Sequence, residues 1–249
     1  MSTSYRPIGQ HTIQKNLLGQ INWPVLTAGK APEIDTKNYK LQIIGEVEKP
    51  TIFTYTELEK LSKTELISDI HCVTTWSLSN AKLFGVDFYE IIKFVNPKQT
   101  AISVSFESDD EIGYTTSVKF DPEKRLLYFP YEFEEYPETP HSYFDKEKKR
   151  IYYTTCLLIL SANTDIEKQV LKLDKNHGGP VRNFIPDLYF WKSAKFLNKI
   201  RFSTKHELGF WEVRGYSDTA NPFVNDRYFD GDKVRYTKAQ VYKSNKKIN

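Results

Sequence analysis

The 249-residue chain is predicted to be an α+β protein: one domain, with a mixed β-sheet and short helices. Three observations predict this. Aromatic residues make up 14% of the chain, supplied mainly by 16 Tyr and 16 Phe, and aromatics favour strands and large cores. Short alternating apolar stretches interleave with short helix starts, without a regular βαβ period. No Pro/Gly/Ser-rich linker divides the chain and no repeat recurs at a fixed interval.

The elements follow in order. Residues 1–38 carry Gly and Pro punctuation together with Ile21, Trp23, Val25 and Leu26, which predicts an ordered arm wrapping the domain. Tyr39 to Val47 alternates like a strand, with Leu41, Ile43 and Val47 on one face. Thr56-Glu-Leu-Glu59 has the pattern of a capping box and opens a short helix. Asp87 with Glu90 opens another, with Phe88, Ile91, Ile92 and Val95 as its buried stripe. Ala101 to Phe106 and Tyr114 to Phe120 read as strands joined by the acidic turn Asp109-Asp110-Glu111. Ile151 to Ser161 is one β-rich run, Thr164 to Glu167 opens a last helix, and residues 230–249 form a frayed tail.

Charge excludes some functions. The 35 basic residues are interspersed with 32 acidic ones, a formal net charge of +3, and Lys146 to Arg150 reads as a solvated turn, so no nucleic-acid partner is expected. Cys156 to Leu160, the longest apolar run, is too short to span a bilayer. Met1 to Gln10 shows neither an apolar leader core nor a twin-arginine pair, and there are only two cysteines, Cys72 and Cys156. A cytoplasmic location is the expectation.

Dinucleotide, Walker, paired CxxC and HExxH signatures are all missing. The strongest local cluster is Asn176-His-Gly-Gly-Pro-Val-Arg182. Gly178 and Gly179 let backbone approach a ligand and present successive N–H groups as an anion nest, with His177 and Arg182 beside it and Lys195 as a third cation. A plain turn with a surface arginine is the alternative. In the second cluster, Asp69-Ile-His-Cys-Val-Thr-Thr-Trp-Ser77, Cys72 is either a buried small hydrophobe, a nucleophile, or a thiolate ligand to a soft metal. His71 would point to the opposite face of a strand, so a Cys72 hydrolase would have to use His177. Cys156, in an apolar run, reads as core.

The two clusters, in this order, resemble the molybdopterin-binding domain of the sulfite oxidase-like family, in its small single-domain prokaryotic branch. Similarity runs from about Gly9 to Tyr228, through Trp23-Pro-Val-Leu26, Ala28-Gly-Lys-Ala-Pro32, Gly45-Glu-Val-Glu-Lys-Pro50, the two clusters, Tyr189-Phe-Trp-Lys-Ser-Ala-Lys195 and Gly209-Phe-Trp-Glu212. The resemblance implies a molybdopterin cofactor carrying one molybdenum, with Cys72 as the metal's protein ligand and the catalytic centre. It implies that His177, Arg182 and Lys195 hold the pterin's phosphate end. His71, the Gly178-Gly179 backbone, Lys192 and Ser193 are assigned to the same cofactor site.

The implied activity is oxygen-atom transfer to or from a small sulfoxide- or oxyanion-type substrate. The chain carries no haem or iron–sulfur motif, so an external electron-transfer partner is implied. Sulfite oxidation and a non-catalytic pterin or phosphate-ligand module are the alternatives. Sulfite oxidases place arginines soon after the metal cysteine; here Val73-Thr-Thr-Trp-Ser77 follows, closer to the family's methionine sulfoxide reductases. Lys82-Leu-Phe-Gly85 lacks a Trp usual before that Gly. Residues 120–170, with Tyr131-Glu-Phe-Glu-Glu-Tyr136, form a family-atypical insertion, expected as a lid, a docking surface or a plain hairpin. The dimerisation domain of full-length sulfite oxidases is absent, so a monomer is expected.

Overall fold

A computed structural model describes residues 7, 10–12, 24–137, 139–163, 170–230 and 233–234. The fold is α+β: two mixed sheets with two short helices, as the alternation of apolar residues predicts. The larger sheet has eight strands: β2 (Lys40–Gly45), β3 (Thr51–Thr54), β6 (Ser103–Ser108), β7 (Thr115–Asp121), β8 (Leu126–Pro130), β9 (Ser142–Asp145), β10 (Arg150–Tyr153) and β14 (Leu197–Ser203). Their order is β3-β2-β14-β6-β7-β8-β10-β9, antiparallel except where β14 runs parallel to β2. The second sheet is built on β5 (Trp76–Asp87), which pairs with β1 (His11–Thr12), β4 (Thr64–His71) and β11 (Leu157–Asn163). In turn β11 also pairs with β12 (Val170–Lys172) and β13 (Arg182–Phe184). A two-stranded ribbon, β15 (Phe229–Asp230) with β16 (Lys233–Val234), closes the described chain.

One face of the large sheet carries the main core. Leu41 and Ile43 of β2, Val104 and Phe106 of β6, Val118 and Phe120 of β7, and Ile200 and Phe202 of β14 are all buried there. Helix α2 (Phe88–Val95) packs its predicted stripe, Phe88, Ile91, Ile92 and Val95, on that core. Asp87 caps it, accepting from Tyr89 N at 2.8 Å. Strand β11 is buried on both faces: Leu158 and Leu160 join the main core, while Leu157 and Ile159 join a second cluster with Leu66, Ile70, Cys72, Trp76 and Leu83. That second cluster supports the segment carrying Cys72.

Two predicted elements differ. The capping box sits two residues earlier: Thr54 Oγ1 accepts from Glu57 N, and Glu57 Oε2 accepts from Thr54 N at 2.8 Å, opening α1 (Tyr55–Leu61). Thr54-Tyr-Thr-Glu57 carries the same signature as the predicted box, and this phase places Tyr55 and Leu58 together against the core. The run Ile151 to Ser161 breaks at Thr154–Cys156 into β10 and β11, which belong to different sheets. Within residues 120–170, β8, β9 and β10 extend the edge of the large sheet. Lys146–Lys149 is the exposed turn between β9 and β10. The predicted helix at 164–167, and Ile21 and Trp23 of the arm, lie outside the described residues.

Candidate functional site

A cavity of about 350 Å³ opens where the β4–β5 turn, the 177–196 segment and the 209–216 segment converge. Five of the residues singled out from sequence line it: Cys72, His177, Arg182, Ser193 and Lys195.

Cys72 follows the last residue of β4, where the hairpin turns back into β5. Its N–H donates to Trp76 O at 2.9 Å, and Thr75 N donates to Cys72 O at 3.1 Å. The turn needs Thr75 at φ +76°, in the left-handed region. Two distant residues pin it from outside: Gln10 Nε2 donates to Cys72 O at 3.1 Å, and the Arg227 guanidinium donates to the Val73 carbonyl. The thiol is unpaired, faces Thr74 Oγ1 at 3.2 Å and leaves the residue 7% exposed.

The cationic end is built around Arg182, which begins β13. Its Nε donates to Ser193 Oγ at 2.9 Å, Nη2 to Ser193 O at 2.9 Å and Nη1 to His177 O at 2.7 Å, and its guanidinium lies 4.1 Å from the Phe190 ring centre. Arg182 is 3% exposed and none of these partners is a carboxylate. Burying an uncompensated charge costs on the order of several kcal/mol, which neutral hydrogen bonds offset only in part. Beside it, Lys195 Nζ donates to Asn176 O at 2.7 Å. Burial and then the Arg182 charge push its pKa down to about 7, with Asp174 opposing. Two cations held together against burial and repulsion form a site for an anion. His177 joins this end with its ring held by Asp174 at 2.6 Å.

The remaining predicted residues do other work. Gly178 and Gly179 form no anion nest: their N–H groups donate within the turn, to Lys175 O at 3.1 Å and Asp174 O at 2.9 Å. Gly178, at φ +93°, lets Lys195 lie against the turn, since a Cβ there would sit 2.5 Å from Lys195 Cγ. His71 points away from the cavity, as strand alternation requires, and bonds Ser77 Oγ at 2.8 Å. Burial pushes its pKa down to about 4. Lys192 also turns inward. Its ammonium reaches Glu212 at 2.5 Å, Asp218 at 3.3 Å and Ser117 O at 2.9 Å, so it ties two wall segments together instead of touching a ligand. Burial works against the Asp218 charge, but Lys192 and then His206 hold its pKa down to about 2.

Other lining residues received no role from the sequence. Trp76, Trp191, Trp211, Tyr114 and Tyr216 make an aromatic wall, and Pro24 to Lys30 of the arm, without exposed Val25, line another side. Most of them fall inside the family-like segments, Trp76 in Asp69 to Ser77, Trp191 in Tyr189 to Lys195, Trp211 in Gly209 to Glu212 and most of the arm in Trp23 to Leu26 and Ala28 to Pro32, whereas Thr27, Tyr114 and Tyr216 lie outside them. Among the described residues of 120–170, none lines the cavity.

These residues fit a molybdopterin carrying molybdenum. Among the described residues no three His, Cys, Asp or Glu side chains are grouped to hold a metal, so a metal at Cys72 would take its other donors from a bound group. A single soft thiolate, a cation pair for a phosphate (Arg182 buried, Lys195 half-buried), and two indole N–H groups without partners (Trp76 and Trp191) match that requirement.

The family model for the oxidoreductase molybdopterin binding domain matches residues 28–128 and 165–211, more than half of the chain. The uncharacterized oxidoreductase YuiH of Bacillus subtilis is 29% identical over 208 residues, covering 83% of this chain and 87% of that protein. The protein-methionine-sulfoxide reductase catalytic subunit MsrP of Campylobacter jejuni is 26% identical over 202 residues, covering 78% of this chain and 61% of MsrP. The sulfane dehydrogenase SoxCD of Paracoccus pantotrophus aligns with a TM-score of 0.49 at 19% identity, over 70% of this chain and 40% of that one. With its cysteine, cation pair and matched segments in one cavity, the chain belongs to the oxidoreductase molybdopterin-binding family, among the sulfite oxidase-like enzymes.

Proposed function

We propose that this oxidoreductase holds a molybdenum–molybdopterin group through Cys72 and moves an oxygen atom from a small, weakly charged substrate, a sulfoxide before an oxyanion. When bound, the group supplies the two-electron exchange of oxygen. The protein's residues do the rest. Cys72 would hold the metal through its sulfur, while Arg182, Lys195 and Ser193, which line the same cavity, would fix the anionic end of the ligand. Trp76, Trp211 and Tyr216 exclude water and receive apolar substituents beside Cys72. An external carrier exchanges the electrons, and a monomer in the cytoplasm is the proposed state.

One observation carries this reading. Cys72, the buried Arg182 and the aromatic rings of Trp76, Trp191, Trp211 and Tyr216 line one cavity, so the thiol shares it with both a cationic and an aromatic wall. Its own turn, residues 73–77, contributes no cation, which favours a neutral substrate over an anionic one. The name of the MsrP relatives, protein-methionine-sulfoxide reductase, supports the same choice.

The test supplies methionine sulfoxide with reduced methyl viologen, and separately sulfite with ferricyanide, to protein made in a host that synthesises molybdopterin. Sulfoxide-dependent dye oxidation that Cys72→Ser abolishes is expected. Sulfite oxidation without sulfoxide reduction would reverse the proposed direction.

A further inference from the structure

The aromatic wall does not end at the cavity. Trp191, which lines it, meets Tyr216 edge-on with ring centroids 5.3 Å apart. Tyr216, also lining, meets Tyr228 at 5.1 Å. Tyr228 does not line the cavity and is 43% exposed, so three rings in contact connect the cavity to solvent. At the outer end Phe229 and Val213 are exposed too, at 50% and 62%.

The rings are held rigidly. Tyr216 and Tyr228 face each other across a β-bridge, flanked by Ser217 N donating to Arg227 O at 3.1 Å and Phe229 N donating to Gly215 O at 2.8 Å. At the inner end the buried Lys192–Glu212 pair locks the turn bearing Trp191 to the turn after Trp211, whose ring packs on Tyr216 at 5.1 Å. Electron transfer between a buried centre and a protein surface falls off steeply across gaps and is favoured through contiguous π systems. Burial, and then Tyr228, raise the pKa of Tyr216, so its phenol stays neutral.

Resting on the redox reading above, we infer that Trp191, Tyr216 and Tyr228 form the electron route between the cavity and an external one-electron carrier that meets the protein at Tyr228. Reduction of one sulfoxide to the sulfide takes two electrons and two protons and releases water. The two electrons come from two reduced carriers, which leave oxidised. The protons come from solvent, and the rings undergo no net change.

The experiment injects electrons at the outer end. A ruthenium photoreductant is attached to the thiol introduced by Phe229→Cys, since both native cysteines are buried. Metal reduction after a flash is followed by electron paramagnetic resonance, without substrate, and molybdenum and pterin are measured on the same samples. The route predicts that Tyr216→Leu slows reduction at least tenfold at unchanged metal content, and that Tyr216→Phe keeps the rate. Attachment instead through Tyr143→Cys, on the edge strand β9 of the larger sheet, is expected to give slow reduction that Tyr216→Leu does not change. Should Tyr216→Leu fail to hold the metal, Tyr228→Leu makes the same test from outside the cavity. Metal present with an unchanged rate in Tyr228→Leu or Tyr216→Leu would overturn the route alone. A wild-type chain without molybdenum would overturn the redox reading, and the route with it.

Discussion

His71 and Cys72 are sequence neighbours that face opposite ways, and their fates show how far a motif reaches. The strand carries Cys72 to the cavity and His71 into a buried contact with Ser77 and the Phe223 ring. A histidine held neutral by burial makes a prediction. Its folded pKa is about 4 against 6.5 for the free side chain, so between those values the unfolded chain binds the extra proton and stability falls as pH falls. Acid titration of urea stability should show His71→Gln losing part of that decline, on the order of 3 kcal/mol across the window. Identical acid limbs in the two proteins would show that His71 is not held as described.

Lys195 makes a second residue-scale prediction. Its pKa of about 7 is depressed by burial and by Arg182, and a bound dianion would favour its charged form. Sulfate, which does not titrate near neutrality, should bind the cofactor-free protein more weakly as pH rises through about 7. Lys195→Met should bind weakly throughout and lose that dependence. For the protein without ligand the stability sign is opposite: above the folded pKa only the unfolded chain keeps the proton, so stability rises with pH towards the ordinary lysine value. Sulfate affinity by calorimetry that stays flat across neutral pH in the wild type would argue against the paired-cation site.

At the scale of elements, alternation and caps were legible wherever they answered to the core. The apolar stripe of α2 was read residue for residue because its four positions bury together. The capping box of α1 was misplaced by two residues because two Thr-x-x-Glu signatures overlap, and only the core contacts of Tyr55 and Leu58 choose between them. Thr54→Ala should therefore lower the free energy of unfolding by about 1 kcal/mol while leaving anion binding intact, whereas Thr56→Ala should change little. Equal losses from both would mean that the helix starts elsewhere. The split between β10 and β11 could not be read, since a continuous β-rich run does not say which sheet each half joins. The same limit applied within the site. Cys72, His177, Arg182, Ser193 and Lys195 meet at one cavity, but Lys192, next to Ser193 in sequence, rotates into an ion pair that only the fold brings together.

For the molecule as a whole, the two sheets meet so that residues from distant segments close on one cavity: 24–30, 72–76, 110–114, 177–196 and 211–216. The aromatic wall was the least legible part, because Tyr114, Trp211 and Tyr216 come from separate segments with no shared spacing. Segments 129–164, unmatched by the family model, add strands at an edge of the large sheet and also supply β11 to the second sheet. A ligand that fills the cavity and pairs with Arg182 and Lys195 stabilises only the folded chain. The loaded protein should therefore unfold at a higher temperature than the cofactor-free one, with the gap reduced in Arg182→Met.

The most direct measurement is the molybdenum and pterin content of protein from a molybdopterin-producing host, beside Cys72→Ser. The account predicts molybdenum and pterin in the wild-type chain, and loss of the metal in Cys72→Ser with the fold retained by circular dichroism. A wild-type chain free of both, or a Cys72→Ser protein with its molybdenum intact, would contradict it.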